Sequence, residues 1–202
     1  MAIKAVIFDL AGVVLHTIRG TFNSLLAERL DVRLVDVERV MNGSVNDQWD
    51  MDEISDDAFY TYLLSELMLP IEKRAIVEKF VIDDFYVDQE MLTYIRELKK
   101  SCITALLTNF PAHLHDFMRV AWPMNGAFDH IIVSADVKLI KPDPHIYQLT
   151  LERIGCQAQE AAFIDDRKVN VEAAEALGIN GIYFINKTKM IADLSQLLKS
   201  GH

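Results

Sequence analysis

Ala5-Val6-Ile7-Phe8-Asp9-Leu10-Ala11-Gly12-Val13-Val14 decides how this chain folds. An apolar run meets a carboxylate, and a glycine turn follows. A short continuous apolar run bounded by turn residues suits a strand buried on both faces, as in a parallel sheet. A carboxylate at the C-terminal end of such a strand lies on the edge where open α/β sheets hold their ligands.

The pattern repeats later in the chain. From Ser101 onward, strand-like runs alternate with helical periodicity. Ile103–Thr108, Ile131–Ser134, Ala161–Asp165 and Gly181–Phe184 read as strands. Ala112–Ala121, His145–Ile154, Val171–Leu177 and Met190–Leu198 read as the helices between and after them. Ile3–Phe8 joins the same sheet. The zone from His16 to Tyr86 differs: it has helical periodicity and no convincing strand alternation. Thr21–Leu30 is amphipathic, Ser55 caps a helix running to about Leu67, and Ile71–Phe80 is another helix. Asp88–Lys100 returns as a crossover helix. The expected fold is a doubly wound, Rossmann-like α/β core over residues 1–15 and 87–202, with a helical insert at 16–86.

The expected strands end in a restricted set of polar residues: Asp9, Thr108-Asn109, and Asp165-Asp166, with Lys141 in the segment after the third strand. In a parallel sheet these ends converge on one crevice. Acids suit Mg²⁺, which takes oxygen ligands. A lysine and a hydroxyl suit phosphate oxygens, and one carboxylate can attack phosphorus. Lys141 precedes Pro142, which places it in an extended segment.

Four motifs resemble those of the haloacid dehalogenase-like hydrolase superfamily, in its order: Phe8-Asp9-Leu10-Ala11-Gly12-Val13, Leu107-Thr108-Asn109, Lys141-Pro142-Asp143-Pro144-His145-Ile146-Tyr147, and Phe163-Ile164-Asp165-Asp166. The insert is similar to the small helical cap of one branch, and Asp165-Asp166 with Asn170 is similar to the glucose-1-phosphate phosphatase-type members. The resemblance implies that Asp9 is a nucleophile that takes up the phosphoryl group and also a Mg²⁺ ligand. It implies that the backbone carbonyl of Ala11 and the Asp166 carboxylate complete the protein's metal set. Thr108 and the Asn109 backbone N–H would bind the phosphoryl group, and Lys141 would neutralise it. Asp165 and Asn170 would orient the metal ligands or metal-bound water.

Ala11 departs from the family pattern, which usually has an acid there to protonate the leaving group and activate water. That help is worth roughly 10²–10⁴-fold. Three readings follow: a phosphatase with another proton carrier, a phosphonatase, or a protein that binds a phosphorylated ligand or a protein partner without catalysis. The phosphonatase reading needs a cap lysine, and no lysine lies between Lys4 and Lys73. A dehalogenase generally has an aromatic residue at the position of Ala11. The preferred expectation is a Mg²⁺-dependent phosphatase of a small phosphorylated metabolite, a sugar phosphate among the candidates.

Composition narrows the partners. The net charge of −10, with Lys and Arg scattered, argues against nucleic acid and anionic membranes. No apolar run is long enough to span a bilayer, and the N-terminus lacks the pattern of an export signal, so the expected location is cytoplasmic. Cys102 and Cys156 read as free thiols. Four further groups have plain readings. His16 is a hinge histidine or a substitute proton carrier. His113 and His115 are ordinary. Trp49, Phe59, Tyr60 and Tyr62 belong to the interior of the insert. Asp83, Asp84 and Asp88 form a solvated linker.

Overall fold

A computed structural model describes residues 2–200. Met1, Gly201 and His202, at the outer ends of the expected core segments, lie outside the described residues. In chain order the elements are β1 (Ala5–Phe8), β2 (Leu15–Thr17), α1 (Phe22–Leu30), α2 (Leu34–Met41), α3 (Ser44–Asp50), α4 (Asp56–Glu66), α5 (Arg74–Asp83) and β3 (Phe85–Val87). Then come α6 (Gln89–Leu98), β4 (Ile103–Thr108), α7 (Leu114–Val120), β5 (His130–Val133), α8 (Ser134–Val137), α9 (Pro144–Ile154), β6 (Ala161–Asp165), α10 (Lys168–Ala176), β7 (Asn180–Tyr183) and α11 (Lys187–Ser200).

The main sheet is parallel, in the order β5-β4-β1-β6-β7, so β1 lies at its centre. Residues alternate between its two faces. Val6 and Phe8 join the core built with Met91, Leu92 and Ile95 of α6 and Met190 and Leu194 of α11. Ala5 and Ile7 join the opposite core, with Ile146 and Tyr147 of α9 and Ala174 of α10. Cover on both faces explains why the central strand β1 is apolar at every position.

Helices α1 to α5 gather around a separate cluster that includes Leu25, Leu30, Val40, Trp49, Phe59, Leu63 and Phe80. Trp49 stacks on Phe59 with ring centroids 3.9 Å apart. Thr21 and Ser55 cap α1 and α4 through their hydroxyls, as their positions before acidic or apolar first turns predict.

The insert departs from its sequence reading at its edges. Strands β2 and β3 pair antiparallel, Leu15 opposite Val87, and form a stem where no strand is expected. Each has three residues, too few for alternation to register. Helices α2 and α3 are also unanticipated; α3 is seven residues long and largely polar. Of the three acids read as a solvated linker, Asp83 ends α5 exposed to solvent, whereas Asp84 and Asp88 are engaged. Asp84 is buried and paired with Arg29 of α1. Asp88 caps α6 by accepting from Met91 N and pairs with Lys187.

Candidate active site

Asp9 follows β1 directly, and its N–H donates to Ile164 O of β6 at 2.8 Å. The chain then turns sharply. Val14 N and Leu15 N both donate to Leu10 O, at 2.9 and 2.8 Å, and Gly12 N donates to Leu15 O. Buried Leu10, Val13 and Val14 anchor the turn, which leaves the Ala11 methyl exposed. Gly12 has φ +83°, in the left-handed region that favours glycine. A Cβ there would also collide with the Asp166 carboxylate. Glycine is therefore needed twice, for the turn and for the approach of Asp166.

Lys141 is the hub. It is 3% exposed, and its Nζ donates to Asp9 Oδ1 at 2.7 Å, Asp165 Oδ2 at 2.7 Å and Leu107 O at 3.0 Å. Its backbone is held by Asn109. Asn109 Nδ2 donates to Lys141 O at 2.9 Å, and Lys141 N donates to Asn109 Oδ1 at 2.8 Å. Asp165 is fully buried and also accepts from Arg167 N at 2.8 Å and from Asn170 Nδ2 at 3.0 Å. Neither Asp165 nor Asp166 caps α10, whose N-cap is Arg167 and has no side-chain cap bond. Thr108 is buried at the end of β4.

The residues expected from the strand-end motifs lie together here. Asp9, Ala11, Thr108, Asn109, Lys141, Asp166 and Asn170 line one cavity of about 360 Å³, and Asp165 lies behind Lys141. The size suits a small organic ligand. The cavity's other wall comes from the insert and stem: Leu15, His16, Phe22, Asp50 and Phe85.

The charges are crowded. Burial raises the Asp9 carboxyl above its usual range; Lys141 opposes this, while Asp165 and Asp166 add to it. Asp166 opens onto the cavity, yet the enclosing walls and then Asp165 push it up to about 6. Burial opposes the charge on Lys141, but Asp9 and Asp165 outweigh it and raise its pKa. A cation beside Asp9 and Asp166 would relieve this excess of negative charge. Asp9, Asp165 and Asp166 each offer an oxygen within 4.8 Å of the others. Asn170 Oδ1 is buried without a partner beside them. An all-oxygen donor set with an unpaired acceptor nearby fits a hard divalent ion such as Mg²⁺.

Several contributions escape the sequence. The Asn109 side chain fixes the lysine loop, whereas the resemblance implies a role for its backbone. Asp50 comes from α3, which is not anticipated. His113 is not ordinary: its Nδ1 lies 3.0 Å from Asp56 Oδ1 of α4, which also accepts from Trp49 Nε1 at 2.7 Å. Lys138 reaches Asp52 Oδ2 at 3.0 Å, a second link between insert and sheet. His16 packs its ring against Tyr86 and Phe184, and burial lowers its pKa.

Known proteins share this architecture. A HAD-like family hydrolase from Porphyromonas gingivalis superposes with a TM-score of 0.79 at 22% identity, covering 98% of this chain and 99% of its own. A HAD family enzyme from Bacteroides thetaiotaomicron, in complex with magnesium and inorganic phosphate, gives 0.72 at 20% identity over 90% of this chain and 94% of its own. In sequence, the sesquiterpene phosphatase astK of Aspergillus oryzae is 31% identical over 199 residues, 96% of each chain. The haloacid dehalogenase-like hydrolase family matches residues 3–178. That span takes in all four strand-end motifs, and with the full-length relative it shows that this chain is a hydrolase belonging to the haloacid dehalogenase-like family.

Proposed function

We propose that this chain is a Mg²⁺-dependent phosphatase of small organic phosphate monoesters, acting through an aspartyl-phosphate on Asp9. One observation carries the reading: buried Lys141 bridges Asp9 and Asp165 at 2.7 Å each, in a cavity shared with Thr108 and Asp166. Asp9 is the nucleophile. Lys141 and the Thr108 hydroxyl hold the phosphoryl oxygens, and Asp165 and Asn170 keep Lys141 and the metal ligands in register. Asp9, the Ala11 carbonyl and Asp166 would hold Mg²⁺. When bound, that ion supplies charge neutralisation for the transferring phosphoryl group.

Residues 16–86 act as a cap over the core of 1–15 and 87–202, a division supported by their separate hydrophobic cluster. The cavity is polar on the sheet side, while the insert and stem add the apolar side chains of Leu15, Phe22 and Phe85 beside the polar His16, Thr17, Thr21 and Asp50. These three apolar side chains favour a phosphate on an apolar alcohol over a sugar phosphate. The full-length relative named as a sesquiterpene phosphatase supports the same choice.

The test is phosphate release with Mg²⁺ from farnesyl phosphate, glucose 1-phosphate and 4-nitrophenyl phosphate, by the wild type and by Asp9→Asn. Turnover lost in Asp9→Asn and on chelation is the expected result, with farnesyl phosphate the best natural-type substrate. Absence of turnover on every ester, with phosphate binding retained, would leave the binding protein that Ala11 invites.

A further inference from the structure

The turn after β1 brings a methyl group, Ala11, to the cavity wall, where it can neither give nor take a proton. The opposite wall contains a carboxyl group that no role has yet claimed. We propose that Asp50, the last residue of α3, is the general acid and base of the reaction, delivered from the insert to the leaving-group side of the cavity. This rests on the phosphatase reading of the same site.

The position of Asp50 is tied to the catalytic loop. Its carbonyl accepts from the Ser134 hydroxyl at 2.6 Å. That same hydroxyl is fully buried at the start of α8, directly after β5, and accepts from Phe110 N at 2.9 Å. Phe110 directly follows Thr108-Asn109, so one buried oxygen links Asp50 to the phosphate-binding segment. In the Asp50 carboxyl group, Oδ2 accepts from Asn46 Nδ2 at 3.1 Å. The described hydrogen bonds leave Oδ1 open. Asn46 Oδ1 is buried without a partner. Turning the amide over presents that oxygen to a protonated Asp50, so the pair accommodates both protonation states.

The electrostatics suit the task. Burial, and then Asp47 on the same helix, push Asp50 up to about 7, while the Asn46 hydrogen bond, and then Arg167 and Lys141, pull it down. A group poised near neutrality is the effective proton carrier there. His16 also lines the cavity, but burial among Tyr86 and Phe184 favours its neutral form, a poor acid. In the first step, Asp9 forms a bond to phosphorus as the bond from phosphorus to the ester oxygen breaks. That oxygen keeps the electron pair and takes the Asp50 proton, leaving as an alcohol. In the second step, water attacks phosphorus and gives a proton to the Asp50 carboxylate. The bond from phosphorus to Asp9 breaks, inorganic phosphate departs, and both carboxyl groups return to their starting states.

Asp50→Asn, Asp50→Asn with Ala11→Asp, and His16→Asn are compared with wild type on 4-nitrophenyl phosphate and on a primary alkyl phosphate, with Mg²⁺. The phenolate leaves without a proton, whereas the alkoxide does not. Asp50→Asn is expected to lose about 10²–10⁴-fold in kcat on the alkyl ester and much less on the aryl ester, with Ala11→Asp restoring the alkyl activity. In the wild type, the alkyl rate should fall with rising pH through a neutral limb that the aryl rate lacks, a readout independent of any variant's folding. Equal losses on both esters, a change confined to KM, no difference between the two pH profiles, or the selective loss appearing in His16→Asn would each overturn the assignment. Wild type inactive on both esters would overturn the phosphatase reading and this inference together. Wild type active with Asp50→Asn unimpaired would overturn this inference alone.

Discussion

Asn109→Ala tests whether the lysine loop is held by a side chain. The substitution removes two hydrogen bonds, Nδ2 to Lys141 O at 2.9 Å and Lys141 N to Oδ1 at 2.8 Å. Each is worth about 1 kcal/mol net. The loop borders the cavity, so water can reach the freed backbone groups and spare most of the penalty for leaving them unpaired. The expected loss of stability is therefore about 2–3 kcal/mol. The Lys141 ammonium keeps its own bonds to Asp9, Asp165 and Leu107 O, so it stays in the site while its backbone drifts. A displacement approaching 1 Å costs roughly 10²-fold in rate, and the loss should fall on kcat. Urea unfolding at constant slope reads the first quantity, and Mg²⁺-dependent turnover of 4-nitrophenyl phosphate reads the second. A midpoint and a kcat both at wild-type values would refute the argument. Asn109 would then act through its backbone N–H alone.

Three other perturbations probe neighbouring parts of the site. Gly12→Ala must strain a residue at φ +83°, at about 1–2 kcal/mol, and push Asp166 aside; thermal unfolding with and without MgCl₂ should show the metal-induced stabilisation lost, and a full shift retained would remove Asp166 from the metal set. Lys141→Met leaves two carboxylates buried and unpaired, so chemical denaturation should report a loss of about 3–5 kcal/mol with no measurable turnover; stability near that of the wild type would mean the cluster is already neutral. Asp50, held up to about 7 from its ordinary 3.8, binds its proton more tightly in the folded chain. Its contribution to stability is present below the lower value and fades as pH rises through the upper one. Asp50→Asn should therefore gain stability relative to wild type between those limits, and a difference flat across that range in urea titrations would contradict the shift.

What was legible in the sequence follows from how the residues are buried. Strands covered on both faces are almost wholly apolar before their ends, so Ala5–Phe8, Ile103–Thr108 and Ala161–Asp165 stand out against their flanks. The polar residues at their ends are conspicuous for the same reason, and Asp9, Thr108, Asp165 and Asp166 could be singled out one by one. What was illegible depends on partners distant in the chain. Asp84 looks like one more exposed acid until Arg29, fifty-five positions away, covers it. His113 gains its meaning from Asp56, and Asp50 from Ser134, neither of them a local neighbour. The stem strands are too short to show a period, although their pairing sets where the insert leaves the sheet.

That stem also bears on how the chain finds its fold. Ala5 pairs with Ile103, so β1 must meet β4 across about ninety residues of intervening chain, a loop whose closure entropy grows with the logarithm of its length. Once Leu15–Thr17 has zipped onto Phe85–Val87, the insert drops out of that loop. About a quarter of the span remains, which lowers the closure cost by about 1 kcal/mol. The hairpin-like junction therefore turns a distant strand pairing into a nearby one, and an insert that folds first smooths the assembly of the sheet beneath it.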